Sequence, residues 1–192
     1  IDNAREAIKD GLKIKSNNLL SSKLYSQKSY IELVANEKSF DEIKKYLEKA
    51  ISLNPRSEYT LYLMGKVYER EDNFDMSINF YNQAIKLNPN FSNAYDGIGF
   101  IQSYYFDDFE NAFKNFNMAI NTDINNRNAY VNRAVNYLKF PKHDASVNKL
   151  ACLDINKAKG LKGDRLLFLS YGDQGDKLID NFIKTFCSGR YP

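Results

Sequence analysis

Two segments of this chain end the same way. Residues 47–56 read LEKAISLNPR and residues 81–90 read YNQAIKLNPN. Both carry the skeleton Ala-Ile-x-Leu-Asn-Pro. Ala84 lies 34 residues after Ala50, and Pro89 lies 34 after Pro55. Self-similarity at a fixed period of roughly 20–50 residues marks an array in which one small unit is written repeatedly and stacked on its neighbours. Such a unit cannot bury its apolar face alone, so the period restricts the fold to a solenoid-type stack.

The best-preserved unit shows what is being repeated. Residues 57–91 read SEYTLYLMGKVYEREDNFDMSINFYNQAIKLNPNF. Leu61, Met64, Gly65 and Tyr68 form one apolar set; Phe74, Ile78, Tyr81, Ala84, Ile85 and Leu87 form a second. Both follow i, i+3, i+4, i+7 spacing, the pattern of an amphipathic helix. The polar stretch EREDNFD separates them, with Asn73 or Asp72 able to cap the second helix. Pro89 ends that helix, because the residue before a proline is driven out of the helical region. Each unit is therefore a helix–turn–helix of 34 residues. A coiled coil would not be punctuated by Gly and Pro in this way.

This unit resembles the tetratricopeptide repeat. The family pattern (small residue, aromatic, aromatic, Ala, aromatic, Ala, Pro) falls on Gly65, Tyr68, Phe74, Ser77, Tyr81, Ala84 and Pro89, with Ser77 in place of the usual Ala. Gly65 would let the paired helices approach closely, and a larger side chain there would overpack at about 1–3 kcal/mol. Residues 24–57 match with Val34, Phe40, Ile43, Leu47, Ala50, Ile51, Leu53 and Pro55, but Ile31 stands at the small position. Residues 92–126 match with Tyr95, Ile98, Gly99, Phe109, Ala112, Phe116, Ala119 and Ile120. They carry one extra residue in the turn YYFDDF, and Ile124 in place of proline. Residues 127–159 form a degenerate fourth unit with Tyr130, Ala134, Tyr137, Ala145 and Cys152, broken at Pro141. Residues 1–23 read as a partial repeat with Ala4, Ile8, Gly11, Leu12 and Ile14 on one face. Residues 160–192 read as capping helices: a short one in GDRLLFLSY, then DKLIDNFIKTF with Leu178, Ile179, Phe182, Ile183 and Phe186 on one side. The expected architecture is one all-α domain, a right-handed solenoid of four such repeats closed by a C-terminal capping helix.

The resemblance implies a non-catalytic scaffold that binds a peptide or partner protein in the concave groove formed by the first helices. Family groove positions carried onto this chain give Tyr25, Lys28, Glu32 and Asn36 in the first repeat. The second gives Tyr59, Tyr62, Lys66, Glu69 and Arg70; the third Asn93, Asp96, Phe100, Ser103 and Tyr104. The fourth gives Asn128, Val131, Asn132, Val135 and Lys139. The central candidates for partner binding are Tyr59, Tyr62, Lys66, Arg70, Asn93, Asp96, Phe100, Tyr104, Asn128 and Asn132. Tyrosine supplies contact area at low entropic cost, and Asn132 sits where some family members bond a bound peptide's backbone. Packing between repeats is the competing role for each Tyr. The clamp that some members use for acidic chaperone tails (Lys and Asn, then Asn, then Lys and Arg) is absent in either frame. From the first repeat it reads Lys28, Glu32, Leu63, Asn93 and Gly97, and Glu32 would repel a carboxylate. The alternative function is a self-associating subunit whose terminal repeats pair with another copy.

Other chemistry finds little support. Net charge is +3, with both signs interspersed, far from the basic stripe expected of a nucleic-acid binder. His143 is the one histidine; set in the turn FPKHD, it has no partner residues for a zinc site or a Cys–His dyad. GLKGDR at 160–165 lacks phosphate-loop spacing, and Asp107–Asp108 fit helix caps. No cofactor is expected, nor a metal site. Cys152 and Cys187 are either two buried small hydrophobes or, in an oxidising compartment, a disulfide that ties down the last helix. No run is long and apolar enough for a transmembrane helix. The chain starts at Ile1, so a soluble protein, cytoplasmic or exported after signal removal, fits equally.

Overall fold

The computed structural model describes residues 1–13, 17–140, 145–161 and 175–187. Ile14, Pro141, His143, the 162–165 part of the linker and the expected helix in GDRLLFLSY lie outside them, as do the side chains of Ala145, Leu178 and Phe186. All regular structure among the described residues is helical: α1 (Asp2–Lys13), α2 (Asn18–Ala35), α3 (Phe40–Leu53), α4 (Glu58–Arg70), α5 (Phe74–Leu87), α6 (Ser92–Tyr104), α7 (Phe109–Thr122), α8 (Arg127–Lys139), α9 (Ala145–Lys159) and α10 (Gly175–Phe182), the last running into a π-helical turn, Ile183–Cys187. The chain divides into two compact units, Ile1–Pro89 and Asn90–Pro192.

Local chemistry sets the helix limits. Asn17, Ser39, Ser57, Asn73, Asp108 and Asn126 each accept, through the side chain, a backbone N–H three residues on. Each satisfies one donor that a helix start leaves without an intrahelical partner. Of the two candidate caps for α5, Asn73 is the one used. Asp72 instead turns the chain, with φ 56°, and Asn36 and Asp107 do the same in their own turns at 54° and 51°. Short Asn and Asp side chains tolerate this left-handed region better than other residues.

In the first unit α2 pairs with α3 and α4 with α5, while α3 packs on α4 and α1 on α2. Leu33, Ile43, Leu47, Leu63, Val67 and Tyr81 are fully buried between them. Gly65 permits the α4–α5 contact: a Cβ there would lie 2.5 Å from Tyr81 Cε1. The first helices α2 and α4 touch through Ser26 Oγ and Thr60 Oγ1, 2.8 Å apart.

The second unit repeats the scheme, α6 with α7 and α8 with α9. A Cβ on Gly99 would lie 2.8 Å from Phe116. A shared device closes the second helix of three repeats. Its last carbonyls receive side-chain donors from the first helix: Ser22 Oγ to Ala50 O (2.8 Å), Ser92 Oγ to Ala119 O (2.7 Å) and Arg127 Nε to Ala158 O (3.0 Å). Each of these oxygens also accepts a backbone N–H, from Asn54, Asp123 and Leu161 respectively, so the side chain supplies a second donor at the helix end. At the chain's end Ile179 and Phe182 of α10 join Tyr130, Val131, Ala134, Ala151, Ile155 and Ala158 in one buried cluster. A disulfide between Cys152 of α9 and Cys187 fastens the π-helical turn to α9.

Candidate binding faces of the first helices

In each unit two first helices lie side by side, α2 with α4 and α6 with α8. Three of them, α4, α6 and α8, carry the ten candidate groove residues, and the structure gives those residues two different fates. Tyr59, Arg70, Asn93 and Tyr104 are half-buried, whereas Tyr62, Lys66, Asp96, Phe100, Asn128 and Asn132 are buried.

The buried members are tied to one another or to the framework. On α4, Lys66 forms an ion pair with Glu69 one turn on. Tyr81 donates its hydroxyl to the other oxygen of that carboxylate, 2.6 Å away. Burial, with the Glu69 charge beside it, pushes the Tyr81 phenol well above its ordinary range. Both Glu69 oxygens are thereby occupied, as a buried carboxylate requires. Tyr62 packs between Tyr59 and Tyr81, with ring centroids at 6.3 and 5.8 Å. Arg70 donates to the Leu33 carbonyl at 2.8 Å, linking α4 to α2, and burial lowers its pKa. Glu32, which the groove register places in the first repeat, is buried and accepts two hydrogen bonds from Arg5 of α1, at 2.7 and 3.2 Å.

In the second unit Asn132 donates through Nδ2 to Asp96 Oδ1 at 2.9 Å. Asn93 meets Asn126 at 3.4 Å. Phe100 stacks on Tyr104 with centroids 4.5 Å apart and meets Tyr105 edge-on at 6.0 Å. Lys139 Nζ lies 4.0 Å above the Tyr104 ring and donates to the Ser103 carbonyl at 3.2 Å. Tyr105 and Phe106, in the turn that carries the extra residue, are about half exposed, 48% and 49%. The groove register did not include this pair, because both stand beyond the end of α6. The one-residue insertion in that turn is the sequence signal that could have marked them. The result is an aromatic cluster with a cation on its face, built from the last turn of α6, the turn after it and the end of α8. It can offer flat apolar area and cation–π contact to a peptide or protein surface.

Among the described residues no group of three or more His, Cys, Asp and Glu is placed to hold a metal ion. No helix there is long and apolar enough to cross a membrane.

Helical pairs of this length, stacked in register with small residues at the crossings, define a helical-repeat protein. Residues 58–91 and 23–57 each match the family described as tetratricopeptide repeat. The chain is a tetratricopeptide-repeat protein, and its fold is the all-α solenoid of that family. Among solved structures it is similar to the first TPR of Spaghetti (RPAP3) bound to HSP90 peptide SRMEEVD, at 18% identity and TM-score 0.55, over 62% of this chain and 93% of that one. It is also similar to the APC/C hetero-tetramer Cut9-Hcn1, at 14% identity and TM-score 0.70, over 96% of this chain but 32% of that one. A third is MamA 41-end from Desulfovibrio magneticus RS-1, at 16% identity and TM-score 0.57, over 87% of this chain and 93% of that one. At these identities the likeness concerns the fold. No curated protein sequence gives a significant match to the chain.

Proposed function

We propose that this chain is a non-catalytic interaction scaffold that holds a peptide or partner-protein segment on the first-helix faces. The observation that carries the reading is the aromatic cluster Phe100, Tyr104 and Tyr105 with Lys139 over it. Tyr and Phe rings anchor interfaces because they give large contact area and lose little rotamer freedom, and Lys139 adds a cation over a ring face. Tyr59 of α4 is the matching half-buried ring of the first unit. Buried polar pairs such as Glu69–Tyr81 and Asp96–Asn132 join neighbouring helices.

The chaperone-tail reading finds no support in the residues. The second clamp position is Glu32, which is buried and paired with Arg5. A fluorescence titration with the peptide SRMEEVD is expected to show no saturable binding. Micromolar affinity would overturn that part of the reading.

The scaffold reading is tested by capture from the source organism's lysate, comparing the native chain with a Tyr104→Ala, Lys139→Ala variant of equal helical melt. A protein retained by the first and lost by the second supports the aromatic cluster as the docking face. Equal retention by both removes the cluster from the interface. Capture of the chain's own second copy alone, checked by light scattering, would favour a self-associating subunit.

A further inference from the structure

The second unit contains a second concavity, whose lining shares no residue with the aromatic cluster above. A cleft of about 400 Å³ is lined by Phe109 and Phe113 of α7, Asn136 and Tyr137 of α8, Phe140 after α8 and Val147 of α9, among others. The rings meet at an angle: Phe109 and Phe140 at 6.2 Å and 68°, Phe113 and Tyr137 at 5.3 Å and 62°. Its size lies within the usual range of small-molecule pockets, roughly 300–1,000 Å³, which are mostly apolar with a few placed polar groups.

Glu110 and Lys114 also line the cleft; the enclosed polar group is Asn136. The repeats make its presence conspicuous. Counting nine residues from Glu58, Ser92 and Arg127, the first residues of α4, α6 and α8, gives Val67, Ile101 and Asn136; the same position of the first repeat is Leu33. Leu33, Val67 and Ile101 are fully buried. Asn136 takes that otherwise aliphatic repeat position and is nearly as enclosed, 2% exposed. Its Nδ2 donates to the Phe109 carbonyl at 3.1 Å. Its Oδ1 is buried with no hydrogen-bond partner in the structure. A buried acceptor left without a donor is costly and rare. An amide that stands at an aliphatic core position, lines an aromatic cleft and holds a buried acceptor without a donor points to a donor supplied from outside.

We propose that this cleft binds an aromatic group carrying one N–H or O–H donor, of the indole or phenol type. Its ring packs against Phe109, Phe113, Tyr137 and Phe140, and its donor bonds Oδ1 of Asn136. A free aromatic small molecule and a Trp or Tyr side chain of a partner share this chemistry.

The chain contains no tryptophan, so indole fluorescence reports binding without background from the protein. Free indole and the peptide Gly-Gly-Trp-Gly-Gly are titrated separately against the full chain. Saturable binding with a blue-shifted emission is expected for at least one. Indole bound without the peptide assigns the cleft to a free ligand; peptide binding as tight or tighter assigns it to a partner side chain. N-methylindole, which lacks the donor, is expected to bind about tenfold or more weakly than indole. Asn136→Leu restores the aliphatic residue of the other repeats and so keeps the fold. In this variant indole and N-methylindole are expected to bind alike. Absence of saturation with both probes up to about 1 mM, a concentration that would reveal even weak binding, overturns the proposal. So does equal affinity of the native chain for indole and N-methylindole.

Discussion

Asn132 on α8 and Asp96 on α6 are joined by a 2.9 Å hydrogen bond between two side chains that are almost entirely buried. The pair stitches one repeat's first helix to the next across 36 residues of sequence. Replacing Asn132 by Ala withdraws a donor from a buried carboxylate, at a cost of about 1–3 kcal/mol. Urea unfolding should show a lowered midpoint with an unchanged slope. A midpoint like that of the native chain would mean that Asp96 finds a new donor at no cost.

Tyr81 is expected to resist alkali. Its phenol is fully buried beside the Glu69 carboxylate, and both raise its pKa above the ordinary value near 10. A group whose folded pKa is raised gives stability that is complete below its unfolded pKa and lost as pH climbs through the window above it. Folding stability should therefore decline above about pH 10. Tyr81→Phe should flatten that decline while lowering stability at neutral pH by about 1–3 kcal/mol, because Glu69 loses a buried donor. Ultraviolet titration of tyrosinate, run beside a circular-dichroism melt at each pH, checks both effects.

Gly65→Ala should be costly for so small a change. The added methyl would meet the Tyr81 ring at 2.5 Å, closer than packed atoms allow. Forcing α4 from α5 should cost about 1–3 kcal/mol. Gly160→Ala, with its nearest atom at 3.6 Å, is the matched control and should be nearly silent in the same thermal melt. Equal melting temperatures for the two variants would show that the ring moves aside freely.

Reduction of the Cys152–Cys187 bond should loosen the chain's last elements first. The bridge closes a loop of 35 residues' separation, worth about 3–4 kcal/mol in the chain-entropy account. Hydrogen exchange with and without a dithiol should show faster exchange in 175–187 and in α9, with the first unit unchanged. Uniform acceleration across the chain would assign the bridge a global role instead.

The repeat architecture was legible because its determinants are local. Gly65, Tyr81 and Ala84 announce a helix crossing, and a 34-residue step between Pro55 and Pro89 announces the next unit. The second, better-kept repeat carried the others into register even where Ile31 or Ile124 departs from the pattern. The proposed binding face was less legible because its partners come from far along the chain. Arg70 reaches the carbonyl of Leu33, and Glu32 meets Arg5; no spacing rule forecasts either. The groove register names positions on a helix but does not say which of them the neighbouring helix covers, as with Tyr62 and Lys66. Asn136 passed unnoticed because a lone Asn in a helix is ordinary. It gains meaning only beside Leu33, Val67 and Ile101. The spacing of Cys152 and Cys187 slightly favoured two buried thiols over a bond; the docking of α10 on α9 overturns this by bringing the two together in a disulfide.

Leu33, Val67, Ile101 and Asn136 hold one repeat position in four successive repeats. In an array whose units contact only their neighbours, the penalty for a substitution stays within one unit and its immediate partners. The cost of the amide at Asn136 therefore falls on its own repeat and those it touches, and the more distant copies keep their aliphatic packing. A repeat array can thus carry a pocket-lining residue in one unit while the equivalent positions elsewhere serve only packing.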